Sequence, residues 1–341
     1  VSSALNRKVR QKQLPHLAVL VPSVLVVGLM IVPIAYLIVR TIGVGYEILE
    51  IFFRSRTLEI ITRSLLLMLS VSVGSVLIAL PISWLTLRSD IPFRGMFSVL
   101  TVLPLVIPSY VGGFVFVVVL GPKGMIQQWL EPLGLERFPD LFGFPGATLT
   151  LTLLTYPYVL LPVRAALSRL DESLNEASHS LGRNSFQTFT GLTVPMLRPS
   201  IVAGVLLVAL YTLSDFGAVS LLHYETFTWA IYVQYGSFAR DVAATLSLIL
   251  LGIGIALLIT ENTFRGKAAY FGNAAGAERP HTITKLGHWR WPAILFCGTV
   301  VLFSLVMPLA VLVHWVIGGI IAGANISILW RELGNAVYVA G

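Results

Sequence analysis

Apolar residues in this chain gather into blocks instead of alternating with polar ones. Seven blocks approach or exceed the roughly 20 residues that a helix needs to cross a bilayer: Leu17–Ile42, Ile60–Leu87, Met96–Leu120, Ala147–Val163, Ile201–Leu222, Val242–Ile259 and Trp291–Ile317. An eighth is expected to begin near Asn335 and is cut at Gly341; with Val1 in place of a start methionine, this reads as a fragment. Leu17–Ile42 is too long for the apolar core of a signal peptide, and no small-residue cleavage site follows it. The pattern predicts an all-α polytopic membrane protein. One stretch between blocks is unusually polar: EASHSLGRNSFQTFTGLTVP, from Glu176 to Pro195.

The pattern within and just before that stretch is helical. Leu170, Leu174, Ala177 and Leu181 form one apolar stripe, and Ser173 and Glu176 have capping-box spacing. Gly182 is expected to stop this helix, because a left-handed residue is least costly as glycine. Asn184 then caps a second short helix, with Gln187 three residues on and Phe186 and Phe189 on one face. Gly191 and Pro195 are expected to end it, with Pro195 in the first turn of the next span. Two readings stay open: a connecting loop whose phenylalanines pack on the protein's own helix ends, or a helix that docks on a partner. Glu176 either caps its own helix or touches that partner.

Charge sets the topology. The 341 residues are 56% hydrophobic and 11% charged, against about 25% charged in soluble domains. With the N-terminus inside and the loops alternating, the inner side holds fifteen of the 23 basic residues, as the positive-inside rule requires. The net charge of +7 therefore reflects membrane topology and no nucleic-acid partner is expected. The chain divides into a cytoplasmic tail (1–16), a first half (17–262), a basic linker rich in Gly and Ala (263–290), and the start of a second half (291–341).

Candidate chemistry is sparse. The single cysteine, Cys297, excludes a disulfide framework and reads as a small buried hydrophobe. The Gly-Lys pairs at 123–124 and 266–267 do not fit a phosphate-binding loop, and no catalytic cluster is visible. Asp215 is placed within the fifth block, about 14 residues, or roughly 21 Å, from Ile201. It is read either as a pore-lining acid, beside Tyr211 and Ser214, or as an acid that hydrogen-bonds the end of a broken helix at Gly217. Pro104, Pro108, Pro157 and Pro162 predict broken helices, and the small residues of Ser70–Ser75 predict close helix packing.

The spacing Glu176-Ala177-Ser178, three residues, Gly182, nine residues, Leu192-Thr193-Val194-Pro195 resembles the EAA signature of ABC importer permeases. That signature reads E-A-A, three residues, G, nine residues, I-x-L-P; the departures are Ser178, Leu192 and Val194. SDFGAVSLL and YETFTWAIY, from Ser214 to Tyr232, resemble the ferric-iron branch, in which two permease halves are fused. RSLLLMLSVSVGS from Arg63 and GNAVYVAG from Gly334 are similar to the opening of each half's core. The resemblance implies a type I importer permease fold with six spans in each half, in a bacterial inner membrane. It implies that Glu176, Ala177, Gly182, Asn184, Phe186, Phe189 and Pro195 couple the chain to a separate ATPase, present in two copies. It also implies a periplasmic or lipid-anchored binding protein, no cofactor on this chain, and ATP used by the partner. Tyr211, Ser214 and Asp215 are then candidates for the translocation path. Fe(III) prefers oxygen ligands, which Tyr211, Asp215, Tyr224 and Glu225 offer; His223 reads as an interfacial aromatic. Thiamine, polyamine or sulfate remain as cargo, and an ion-coupled secondary transporter or a membrane enzyme as other classes.

Overall fold

Among the described residues, seven helical segments are long and apolar enough to cross a membrane, one for each predicted block: Leu20–Ile42, Ser55–Arg88, Ser109–Gln128, Phe144–Leu167, Phe189–Ser214, Arg240–Glu261 and Gly287–Ile321. The computed structural model describes residues 17–43, 45, 47–122, 124–133, 141–170, 176–178, 180–265, 283–323 and 327–340. The tail 1–16, Ser173, Leu174 and residues 266–282 of the linker lie outside the described residues.

The helices are α1 (Leu17–Ile42), α2 (Glu47–Phe53), α3 (Ser55–Arg88), α4 (Arg94–Leu100), α5 (Ser109–Leu120), α6 (Met125–Leu130), α7 (Phe144–Thr155) and α8 (Pro157–Leu167). They continue as α9 (Ser185–Thr188), α10 (Val194–Ser214), α11 (Gly217–Leu221), α12 (Phe227–Gly236) and α13 (Arg240–Arg265). The last three are α14 (Arg290–Val301), α15 (Met307–Ile321) and α16 (Ser327–Ala340).

The 34 residues of α3 make a rod of about 51 Å, against a hydrocarbon core of about 30 Å. Its polar ends therefore project from both sides: Arg56, Glu59 and Arg63 at one, Trp84 and Arg88 at the other. The second end, with Arg94, Arg164, Arg169 and Arg198 around it, is the basic end of the bundle.

Prolines break the third block, Met96–Leu120, as Pro104 and Pro108 predict. It divides into α4, a 3-10 turn at Leu103–Val106 and α5, because Pro104 and Pro108 supply no N–H to a helix; the apolar span begins only at Ser109. In the fourth block Pro157 opens α8 just after Tyr156, while Pro162 sits inside α8 without ending it.

Two other prolines are accommodated differently. Phe189–Thr193 and Leu302–Val306 are π-turns, followed by Val194-Pro195 and Met307-Pro308. The N–H of Val194 donates to the Phe189 carbonyl and that of Met307 to the Leu302 carbonyl, five residues back. The wider turn moves the preceding carbonyls away from where a proline ring would strike them in an α-helix. Helix therefore runs unbroken from Ser185 to Ser214 and from Arg290 to Ile321. This corrects the expectation that Gly191 and Pro195 stop the short helix.

At the centre α10 packs along α3 and α8, and α7 packs on α3. Without a hydrophobic force between helices in lipid, close fit holds them. A Cβ on Gly204 would meet the Val159 Cα at 2.6 Å, and one on Gly74 would meet the Thr152 side chain at 2.9 Å. Ser75 lies 3.4 Å from Thr155, hydroxyl to hydroxyl, so Ser70–Ser75 does serve close packing. α1 and α12 lie against α13 at the side, and no residue in the apolar window of α1 is buried. The α14–α15 rod crosses α3, α4, α5 and α7, with its own Cys297 fully buried. The expected eighth block differs: α16 starts at Ser327, not near Asn335, carries Arg331 and Glu332, and its 14 described residues are too few to count as a span.

Candidate functional site

The polar stretch folds as two short helices around a glycine. Residues 176–178 and 180 are helical, and Gly182 has φ of +79°. The N–H of Arg183 donates to the Ser178 carbonyl at 3.2 Å, the six-to-one bond of a Schellman stop with Gly182 in the left-handed position. Asn184 and Gln187 then form a reciprocal box. The Gln187 N–H donates to Asn184 Oδ1 at 2.8 Å, and the Asn184 N–H donates to Gln187 Oε1 at 3.1 Å, which satisfies donors that a helix start leaves open. The buried hydroxyls of Ser178 and Thr188, 2.9 Å apart, tie the two helices together. The signature's second alanine is thus replaced by a serine that has a partner.

Glu176, Ala177, Gly182 and Asn184 are exposed. The apolar residue at the tip is Leu181, 80% exposed. The side chain of Phe186 lies outside the described residues. Phe189 turns inward, edge-on to Trp84 with ring centroids 6.1 Å apart, so it packs on the protein's own helix. Pro195 is inside the continuous rod, in the first turn of α10.

The stems of the loop rest on α3. The buried guanidinium of Arg88 donates to the carbonyls of Leu167 at 2.9 Å and Leu170 at 3.3 Å. A cation at a helix C-terminus satisfies orphan carbonyls and complements the dipole. Trp84, one turn earlier, holds Phe189 at the far stem. Arg164 reaches sideways to α4 and donates to the Ser98 carbonyl at 2.8 Å and to its hydroxyl. Sequence reasoning counted Arg88 and Arg164 only as topological charges and passed over Trp84; an arginine in the last turn of a span, before Ser-Asp-x-Pro, was the available signal.

A second polar node lies near the other end. α10 ends at Ser214, and Asp215 stands in the break before α11 and not within a span. Asp215 Oδ2 accepts the N–H of Ala218 at 3.0 Å and of Val219 at 3.4 Å, and the Ser109 hydroxyl also donates to this carboxylate. These are the bonds of the broken-helix reading. A Cβ on Gly217 would meet the Tyr110 nitrogen at 2.8 Å, so the starts of α5 and α11 abut here. Tyr211 lies against Tyr158 with centroids 5.6 Å apart, and the exposed Ser214 bonds within its own helix at 2.9 Å.

The other oxygen donors are held separately. Glu225 pairs with Arg56 at 2.7 Å and Arg63 at 3.5 Å, and the Tyr224 hydroxyl donates to the Arg63 carbonyl at 3.1 Å. His223 is exposed and stacks on Phe142, centroids 5.2 Å apart. Among the described residues no group of three or more His, Cys, Asp or Glu is placed to hold a metal ion.

Residues 79–265 match the family described as binding-protein-dependent transport system inner membrane component, more than half of the chain. The chain belongs to this family. A relative of this permease is the Fe(3+)-transport system permease protein FbpB 2 of Haemophilus influenzae, 33% identical over 93% of this chain and 60% of that protein. The permease thus spans about 60% of that relative's length. The molybdenum transport system permease protein ModB of Escherichia coli is 31% identical over 58% of this chain and 91% of its own. A chain from the crystal structure of a bacterial alginate ABC transporter, in complex with an alginate pentasaccharide-bound periplasmic protein, shares the permease's fold. It has a TM-score of 0.61 at 17% identity, covering 72% of this chain and 92% of that one. FbpB 2 and ModB are permeases of transport systems, and the chain is read as a permease, not as an enzyme.

Proposed function

We propose that this chain forms part of the translocation path of an ATP-driven importer and that Glu176–Pro195 engages a separate ATPase subunit. The observation that carries this is the construction of the loop. A left-handed Gly182, a reciprocal cap at Asn184 and a buried hydroxyl tie make it rigid, its tip leaves Leu181 exposed, and its second helix continues without a break into α10. The basic end then faces the cytoplasm, with the N-terminus on the same side. Residues 17–262 form one half with six spans, and 291–341 open a second. Two ATPase copies act from the cytoplasm, and a periplasmic or lipid-anchored binding protein delivers cargo at the other face.

Ferric iron is the cargo supported best, by the identity with the Haemophilus Fe(3+) permease across nearly the whole chain. The test is co-purification of the permease with its ATPase and ATP-driven uptake of labelled iron, wild type against Gly182→Pro. Loss of both in the variant supports the reading. An intact complex with normal uptake removes the loop from coupling, and uptake of molybdate or sulfate in place of iron removes the cargo assignment.

A further inference from the structure

Three segments meet at the last turn of α3. Residues 283–286 run alongside the turn 88–90 as a one-pair parallel bridge between Ser89 and Thr284. The Thr284 N–H donates to the Arg88 carbonyl at 2.9 Å, and the Asp90 N–H donates to the Thr284 carbonyl at 3.2 Å. Asp90 adds its side chain: Oδ1 accepts the Leu286 N–H at 2.9 Å, and Oδ2 pairs with the Arg290 guanidinium. Charge-assisted bonds of this kind are the stronger class. Arg290 is the first residue of the α14–α15 rod, so the rod enters the bundle through this contact.

Arg88 faces both ways. Its carbonyl holds Thr284, while its guanidinium holds the carbonyls of Leu167 and Leu170 at the near stem of the loop. Trp84 on the same helix holds Phe189 at the far stem. Both stems of Glu176–Pro195 therefore rest on one helical turn. That turn leads into an irregular segment, Ser89–Phe93, where Phe93 has φ of +59° and is 73% exposed. Across this segment, residues 284–290 supply two backbone bonds and both partners of the Asp90 carboxylate.

We propose that Thr284–Arg290 is a latch that fixes the position of the ATPase-facing loop, with Asp90 as its positioning residue. The proposal rests on the coupling role of Glu176–Pro195. With the latch closed, force on the loop meets a fixed support and passes into α10. With it open, the end of α3 gives way and part of the stroke is lost. The seventh span thereby acts on the coupling machinery of the spans before it without touching the ATPase.

The test uses the permease reconstituted in liposomes with its ATPase and binding protein. The readout is the ratio of cargo moved to ATP hydrolysed. In Asp90→Ala the ratio should fall at least about fivefold, the lower range of an allosteric coupling, with ATP hydrolysis retained. Neighbouring strands lie about 4.8 Å apart, within the Cα separation that a disulfide spans. Ser89→Cys/Thr284→Cys, added to Asp90→Ala and oxidised, should restore the ratio; Cys297, the sole native cysteine, is buried out of reach. An unchanged ratio in Asp90→Ala, or a formed disulfide without rescue, overturns the latch. A spin label at Ser180→Cys separates this from failure of the function itself. Asp90→Ala should loosen the label in the permease alone, whatever the ATPase does, and unchanged label mobility also overturns the proposal.

Discussion

The Arg88 guanidinium lies 2.9 Å from the Leu167 carbonyl oxygen, in a position only 5% exposed. The two residues are 79 positions apart, on different helices, and neither belongs to the signature that marks the loop. The contact seals the end of α8 where the chain leaves the bundle. Its removal would leave a buried acceptor unpaired, a larger penalty than the bond itself contributes.

Arg88→Ala should therefore lower stability by about 2–3 kcal/mol, read as a lower Tm of the detergent-solubilised protein. Arg88→Lys should recover only part: one guanidinium nitrogen makes both bonds, but a compact, strongly hydrated ammonium is harder to bury there than a guanidinium. An unchanged Tm in Arg88→Ala would show that water satisfies these carbonyls.

Gly182→Ala introduces a side chain where φ is +79°, at a cost of about 1 kcal/mol, and Asn should be tolerated better. Among the described residues beyond its chain neighbours, no atom lies within 4 Å of the added Cβ, so the expected strain is that of the backbone. Affinity for the ATPase should drop several-fold while the Tm of the bundle stays close to wild type. Pull-down titration measures the first and thermal melting the second.

Asn184→Ala removes one arm of the reciprocal cap, worth about 1 kcal/mol. Hydrogen exchange at the amides of 185–188 should accelerate about fivefold, and Asn184→Asp should keep the slow rate. Equal rates in all three proteins would assign the order of α9 to its continuity with α10 alone.

Asp90 gives the latch a pH dependence. The bond from Arg290, then that from the Leu286 N–H, holds its carboxyl below the usual carboxylate range. A depressed folded value means that the stabilisation is complete above the unfolded value near 3.9 and is lost as pH falls below it. The other titratable groups of the two segments are Arg88, Arg94, Lys285 and His288. Exchange protection of the Leu286 amide should hold at pH 6–5 and decline below about pH 4. Asp90→Asn keeps an acceptor for the Leu286 N–H but cannot titrate, so its protection should not decline with pH; a decline that persists there would belong to another group.

Gly204→Val should open the contact of α10 with α8, because the new Cβ meets Val159 Cα at 2.6 Å and the Tyr158 carbonyl oxygen at 3.0 Å. Backbone cannot yield as a side-chain tip can, so about 1–3 kcal/mol of strain is expected. Thermal melting checks it; Gly254→Val, whose Cβ meets only the Leu210 side chain at 3.9 Å, is the control.

Much of the fold was legible because a bilayer imposes a single length scale, and each of the seven blocks became a span. The glycine stop and the Asn184 cap were legible because both are local, set within a few residues. Pro195 misled because a proline after a helical run is ordinarily a stop; the π-turn that admits it leaves no mark in residue spacing. Asp215 was placed inside a span because Phe216–Leu222 is as apolar as what precedes it, while the break there depends on the close approach of Tyr110 to Gly217. Arg88, Asp90 and Arg290 were invisible as partners because long-range polar pairing has no period.

The unbroken helix from Ser185 to Ser214 is about 45 Å long. It starts at the exposed loop and stops at the carboxylate that fastens α11. Its π-turn and the prolines Pro195 and Pro199 all lie in the half next to the loop, and helix bends concentrate at such places. Displacement imposed at Asn184 is expected to meet this bend first, and what passes it reaches the two amide bonds that Asp215 accepts from α11. The helix is thus built as a shaft with a knuckle beside the loop and a clasp at Asp215.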